Sequence, residues 1–326
     1  MFLGLFFLWP LNPYSCVIKI MYIMLNYQKV FNTIVEETES YLVSNRIQSM
    51  VLGISGGIDS TVVAVVCYEV SKRTGIPLIG RSLPTRNNKK GEITTADLVG
   101  NAFCDDYSVY SINDIYQTVR DNTIENPSEQ TLIADGNIQA RLRMIYLYNL
   151  ANVKRGIVFS TDNATEYNLG FWTLHGDVGD FNPLFGLWKT EVYSLARWLV
   201  EEHYVGNTAK IEAISKSMSL VPTDGLGISN SDLEQIGANT YDEVDLVLNK
   251  LLAWKKSISE NLLDKSPSDL ISDFLTSQEI ILNIGVNIDI VRKVVERHFF
   301  SSFKRKSLPV VIKREKFERP ENLISE

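Results

Sequence analysis

The run Ser55-Gly56-Gly57-Ile58-Asp59-Ser60 carries the clearest chemistry in this 326-residue chain. An apolar stretch, Met50 to Ile54, precedes it, and another, Thr61 to Val70, follows, so the pattern reads strand, tight glycine turn, helix N-terminus. First-turn amides of a helix lack intrahelical acceptors and sit at the positive end of its dipole, which suits phosphate. Gly56 and Gly57 let the backbone approach an anion with no Cβ in the way, and Ser55 and Ser60 add hydroxyls. Asp59 puts a carboxylate among phosphates, which makes sense chiefly if a divalent metal sits between them. The lysine of the Gly-x-x-x-x-Gly-Lys-Ser/Thr loop is missing, so this is a phosphate loop of another kind.

Elements that position such a loop follow from the pattern around it. Asn26 to Arg46 reads as a helix with Val30, Phe31, Ile34, Val35 and Leu42 on one face. Leu78 to Leu83 is a second strand ending at Pro84, and Thr85 to Gly91 is polar and basic, a mobile loop. A helix over Thr94 to Phe103, a strand over Asp106 to Ile112 and a long helix over Gly136 to Ala151 come next. Gly156 to Thr161 is a fourth strand, followed by a polar turn and a short helix. Strands separated by helices predict an α/β fold with a doubly wound parallel sheet, ligands binding beyond the strands' carboxyl ends. After Gly206 the pattern is mainly helical, interrupted by a polar loop, Ser217 to Ser231, of the kind that serves as a lid.

Composition narrows the class. A net charge of −7 argues against a general nucleic-acid binder, while 45% hydrophobic residues are ordinary for a globular protein. Cys16, Cys67 and Cys104 form no CxxC pair and no metal-ligand spacing, which fits a reducing cytoplasm. Residues 1–25 are strongly apolar but broken by Pro10 and Pro13, with no basic leader and no clear cleavage site. We expect them to be an extension, with natural translation starting near Met21 or Met24, and residues 26–326 to form one domain with no membrane span.

Beyond the fourth strand stands Ser160-Thr161-Asp162-Asn163-Ala164-Thr165-Glu166. Together with Ser-Gly-Gly-x-Asp-Ser at 55–60, this resembles the ATP pyrophosphatases, and within them the NAD+ synthetase family. The resemblance spans about residues 26 to 310 and rests on an ordered set of motifs. Gly136-Asn137-Ile138-Gln139-Ala140-Arg141-Leu142-Arg143-Met144, Gly176-Asp177-Val178-Gly179-Asp180-Phe181-Asn182-Pro183-Leu184, Lys189-Thr190, Pro222-Thr223-Asp224 and Tyr241-Asp242 complete it. It implies that Asp59 and Glu166 ligate Mg2+, and that Gly53, Ile54, Ser55, Gly56, Gly57, Ile58, Asp59, Ser60, Thr161, Lys189 and Thr223 contact ATP. Arg81 would line the adenine or ribose pocket, while Arg141, Asp180 and Lys304 would bind deamido-NAD+. Asp177 would help ammonium lose a proton. Each of these residues alone has a plainer explanation: Arg141 a snorkelling surface arginine, Asp177 and Asp180 turn caps, Glu166 a solvated helix carboxylate. The ordered set is what sets those aside.

The implied reaction amidates the nicotinate carboxylate through an acyl-adenylate, with ATP cleaved to AMP and pyrophosphate. No side-chain nucleophile is needed. Since only about 25 residues precede the matching region, no amidohydrolase domain fits there, and free ammonia is the implied nitrogen source. Members of the family are typically homodimers that build the dinucleotide site across the interface. The chain departs from the family pattern at Thr173-Leu174-His175-Gly176-Asp177, where Thr-Lys-Tyr-Gly-Asp is usual, and at Ser302-Phe303-Lys304-Arg305, where Glu-His-Lys-Arg is usual. Two rivals remain open: another ATP pyrophosphatase, tRNA-modifying or amidating, and an adenine-nucleotide-binding protein without turnover.

Overall fold

Four short strands pair in parallel in the order β3-β2-β1-β4: β1 (Met50–Gly53), β2 (Leu78–Ser82), β3 (Asp106–Val109) and β4 (Ile157–Val158). The computed structural model describes residues 25–124, 126, 128–223, 231–258, 265–277 and 284–306. Expectations about residues 1–24 and about 224–230 of the polar loop therefore lie outside the described residues.

Alternating side chains along the strands explain why helices cover both faces. Met50, Leu52 and Leu78 point into one core with α1 (Tyr27–Ser44), α2 (Ile58–Thr74), α3 (Lys90–Phe103), α7 (Lys189–Trp198) and α8 (Thr208–Met218). Val51, Ile79 and Val158 point the other way, onto Met144, Leu147 and Ala151 of α5 (Glu129–Val153), with α4 (Asn113–Thr123) beside it. The doubly wound reading holds. In α2, residues Thr61 to Cys67 are buried on every side, which accounts for its unbroken apolar sequence, and Gly75 at φ 75° ends it.

A second core lies in the C-terminal half. Val244, Val247, Leu248 and Leu251 of α10 (Tyr241–Ser257) pack with Phe274 of α11 (Pro267–Thr276) and Val291, Val294 and Val295 of α12 (Ile288–Phe300). Two short helices, α6 (Ala164–Leu169) and α9 (Asp232–Ile236), supply Leu169 and Ile236 to it. Leu199–His203 continues α7 as a π turn, and Ser302–Arg305 closes the described chain as a 3₁₀ turn.

Four expected boundaries move most. The helix expected from Thr94 starts at Lys90, because Glu92 accepts the Lys89 amide at 3.1 Å and caps the first turn. The long helix expected from Gly136 starts at Glu129, and the strand expected to reach Ile112 ends at Val109. The fourth strand is shorter than expected because the chain turns away after Phe159: the Phe159 amide still donates to the Val51 carbonyl at 2.9 Å, but that of Ser160 donates to the Phe181 carbonyl at 2.8 Å. Cys67 is buried, and both it and the partly buried Cys104 are free thiols, with burial pushing Cys104 up to about 12. No helix among the described residues is long and apolar enough to cross a membrane.

Candidate active site

A cavity of about 520 Å³ opens beyond the carboxyl ends of β1 and β2. Its floor is the turn between β1 and α2. Gly56 has φ 85°, and a Cβ there would lie 2.5 Å from the Glu92 carbonyl, so only glycine fits. Ser217, at the end of α8, donates to the Gly56 carbonyl at 2.9 Å and shares a 2.8 Å hydrogen bond with Thr61. Ser55 Oγ accepts the Gly57 amide at 3.2 Å and meets Ser60 Oγ at 3.0 Å. The helix cap, Gly57, has no side chain to satisfy the first-turn amides of α2, which leaves them to an anion.

Asp59, from the first turn of α2, and Glu166, from α6, meet on one cation. The Lys189 ammonium donates to Asp59 Oδ2 and, at 2.9 Å, to Glu166 Oε1. Asn163 holds both carboxylates. Its Nδ2 donates to Asp59 Oδ1 at 2.9 Å and its backbone amide to Glu166 Oε2 at 3.2 Å, while its Oδ1 accepts the Glu166 amide at 3.0 Å as the cap of α6. Burial would lower Lys189, but Asp59 and Glu166 outweigh it and hold the ammonium well above its ordinary value. Burial, then the nearby Asp59 charge, raise Glu166 against the pull of Lys189.

This donor set fits Mg2+, which takes one or two carboxylates and fills its remaining positions with phosphate oxygens and water. Among the described residues no third acidic, His or Cys side chain joins Asp59 and Glu166 in a metal-sized group, so phosphate oxygens would have to complete the shell.

Other expected residues are distributed as follows. Thr161, Arg81, Thr223, Asp177 and Lys304 line the cavity together with Gly53, Ile54 and Ile58. Thr223 Oγ1 donates to Glu92 Oε1 at 3.3 Å. Arg81 spends two nitrogens on the Asp106 carboxylate, at 3.0 Å each, so its guanidinium is anchored to the sheet edge. Lys304 donates to the carbonyls of Gly170 at 2.7 Å and Trp172 at 2.5 Å. Asp177 Oδ1 accepts the Thr173 amide at 2.6 Å, and crowding by protein raises its carboxyl above the ordinary value. Arg141 and Asp180 do not line the cavity. Arg141 is exposed and donates to the Leu174 carbonyl at 3.3 Å. Asp180 accepts from Tyr148 Oη at 3.0 Å and from the Val158 amide at 2.9 Å, tying its loop to β4.

Among the residues of the site that were not expected, four stand out. Arg143 lines the cavity, donating to the Leu83 carbonyl at 3.1 Å and to Asn88 Oδ1 at 3.2 Å, with Asp177 and Glu92 as its countercharges. Asp162 lines it too, raised chiefly by burial and next by Asp177. Glu92 and Asn163 are the others; both sit at helix starts as Asn or Glu at capping positions, a legible signal that points to the cap and not to the cavity.

Comparison with known proteins gives one consistent result. A sequence model of the NAD synthase family matches residues 30–270. The NH(3)-dependent NAD(+) synthetase of Pyrococcus furiosus is 30% identical over 288 residues, covering 88% of this chain and 95% of that protein. The NH(3)-dependent NAD(+) synthetase of Campylobacter jejuni strain 81-176 is 33% identical over 184 residues, covering 56% of this chain and 72% of its own length. Among solved structures, NMN synthetase from Francisella tularensis aligns with TM-score 0.65 at 24% identity, over 87% of this chain and 97% of that one. The NH3-dependent NAD synthetase of C. jejuni aligns with TM-score 0.63 at 22% identity, over 89% and 100%. At these identities the structures speak for the shared fold.

Proposed function

The chain belongs to the NAD synthase family, and from that premise we propose that it is an ammonia-dependent NAD+ synthetase. The observation that carries this reading is the convergence of Asp59 and Glu166 on the Lys189 ammonium, at the foot of an open helix N-terminus. Amides of the turn and of the first turn of α2 bind the β- and γ-phosphates of ATP. Asp59 and Glu166 would hold Mg2+, which when bound offsets phosphate charge and polarises the phosphoryl oxygens. Lys189, buried and firmly protonated, stabilises charge that develops as pyrophosphate departs.

A carboxylate resists amidation because oxide is a hopeless leaving group. In this reading a nicotinate oxygen of deamido-NAD+ attacks the α-phosphorus and pyrophosphate leaves. The nitrogen lone pair of ammonia then attacks the acyl carbon, the C–O bond to AMP breaks, and the amide of NAD+ results. Ammonium has no lone pair, so a proton must leave first. Asp177, raised and facing the cavity beside Arg143 and Asp162, is the group suited to take it. Arg141 is exposed and outside the cavity, so its part in binding the dinucleotide requires a site finished by a second copy of the chain. Asp180 acts on the substrate by holding the loop that carries Asp177.

Purified protein given MgATP, ammonium and deamido-NAD+ should form NAD+, AMP and pyrophosphate in equal amounts. ATP-dependent tRNA modification without NAD+ would reject the reading. ATP binding with no pyrophosphate released would favour a binding protein without turnover. Faster amidation of the carboxylated mononucleotide would keep the chemistry and change the substrate.

A further inference from the structure

Lys189 is the first residue of α7, and the amides at that helix start are satisfied in an unusual way. The cap residue is Trp188, which has no oxygen with which to accept an amide. Partners come from two other elements instead. The Lys189 amide donates to Thr165 Oγ1 of α6 at 2.8 Å, and the Thr190 amide donates to Asp245 Oδ2 of α10 at 3.0 Å. Thr165 Oγ1 in turn donates to Asp245 Oδ1 at 2.5 Å. Asp245 and Thr165 are fully buried, each at 0% exposure, so these partners cannot be exchanged for water.

One carboxylate therefore fixes two helix starts. Thr165 precedes Glu166 in α6, and Lys189 opens α7, so the two residues that grip each other at 2.9 Å stand on helices joined through Asp245. The anchor comes from α10, whose apolar face, Val244, Val247 and Leu248, is locked into the C-terminal core. A negative group also suits the positive end of the α7 dipole. Neither Thr165 nor Asp245 lines the cavity, so neither is placed to touch ATP or the dinucleotide.

We propose that Asp245, acting through Thr165, is the positioning residue that sets Lys189 against Glu166 for the adenylation step. This rests on the synthetase reading, since it assigns Lys189 a role in that step. Buried hydrogen bonds of this kind could merely stabilise the fold, so the test must separate position from stability. A displacement of the order of 1 Å at a catalytic group can cost about a hundredfold in rate. In Thr165→Val the shape is kept and the hydroxyl is lost, while Thr165→Ser keeps the hydroxyl. In Asp245→Asn one oxygen remains to accept from Thr165, and an amide NH2 faces a donor, the Thr190 amide.

Steady-state assays of NAD+ formation, with thermal unfolding of the same samples, decide the matter. Expected are a fall in kcat of about tenfold or more in Thr165→Val and in Asp245→Asn, with KM for deamido-NAD+ unchanged, and recovery to within about twofold in Thr165→Ser. A wild-type rate in the folded Val and Asn variants would overturn the inference. So would loss of activity that follows the unfolded fraction alone, or a Ser variant as slow as the Val variant. If the wild-type protein itself makes no NAD+, it is the synthetase reading that fails; if only the variants behave like wild type, it is the positioning role.

Discussion

Two of the helix N-termini at the cavity, those of α2 and α7, are finished in opposite ways. That of α2 is bare, capped by Gly57 and edged by Asp59. That of α7 is closed, its first two amides taken by Thr165 and Asp245. An open start with glycines is an anion receptor, whereas a closed start holds whatever side chain it begins with. Here that side chain is Lys189. On the proposed reading, a single site uses the same backbone geometry once to bind a ligand and once to aim a charge.

The largest expected effects come from breaking the two ends. In Asp59→Asn the ion site loses a charge while Lys189 keeps Glu166, so kcat should fall by about 10²–10³ with little change in melting temperature. A fully active variant would refute the metal assignment. In Lys189→Met both activity and stability should suffer, because Asp59 and Glu166 are left facing each other: about 10² or more in kcat and about 3–5 kcal/mol in unfolding free energy. Urea unfolding measures the second, and an unchanged midpoint would show that the lysine is not the counter-ion of the pair.

Gly56→Ala tests the open end without touching a charge. It needs a strained φ and meets the Glu92 carbonyl at 2.5 Å, so a loss of about 1–3 kcal/mol and weaker ATP binding by calorimetry are expected. Arg141→Ala lies away from both ends. Its melting temperature should not move, and its KM for deamido-NAD+ should rise about tenfold, the value of a charged hydrogen bond. An unaltered KM would remove Arg141 from the substrate site.

A further effect is a pH dependence. Burial raises the Asp245 carboxyl from 3.8 to about 6 in the folded chain. Its contribution to stability is therefore fully present below about pH 4 and is lost as pH rises through about 6. Replacing it by asparagine removes that loss. The melting temperature of Asp245→Asn relative to wild type should rise between pH 4 and pH 7, and a flat difference would contradict the buried, paired carboxylate.

How much of this could be read from the sequence depends on how local each contact is. The turn at 53–60 was legible because its chemistry is written in consecutive residues, and the parallel sheet because strand and helix periods alternate. Asp59, Glu166 and Lys189 were recognisable from ordered motifs, although 104 residues separate Asn163 from Asp59 and nothing in spacing shows the bond between them. Asp245 was illegible. It lies one turn into an amphipathic helix where an aspartate reads as solvated surface, and its partners are 80 and 55 residues away. Arg143 and Arg141 differ by two positions on one helix, hence point to different sides, and the pattern alone does not say which side meets the cavity.

Transfer of ¹⁸O from a labelled nicotinate carboxylate bears most directly on the account. If the loop, Asp59, Glu166 and Lys189 direct cleavage to the innermost phosphorus, each NAD+ formed should be matched by one AMP carrying one ¹⁸O, with pyrophosphate unlabelled. Label recovered in inorganic phosphate, with ADP as the nucleotide product, would contradict it.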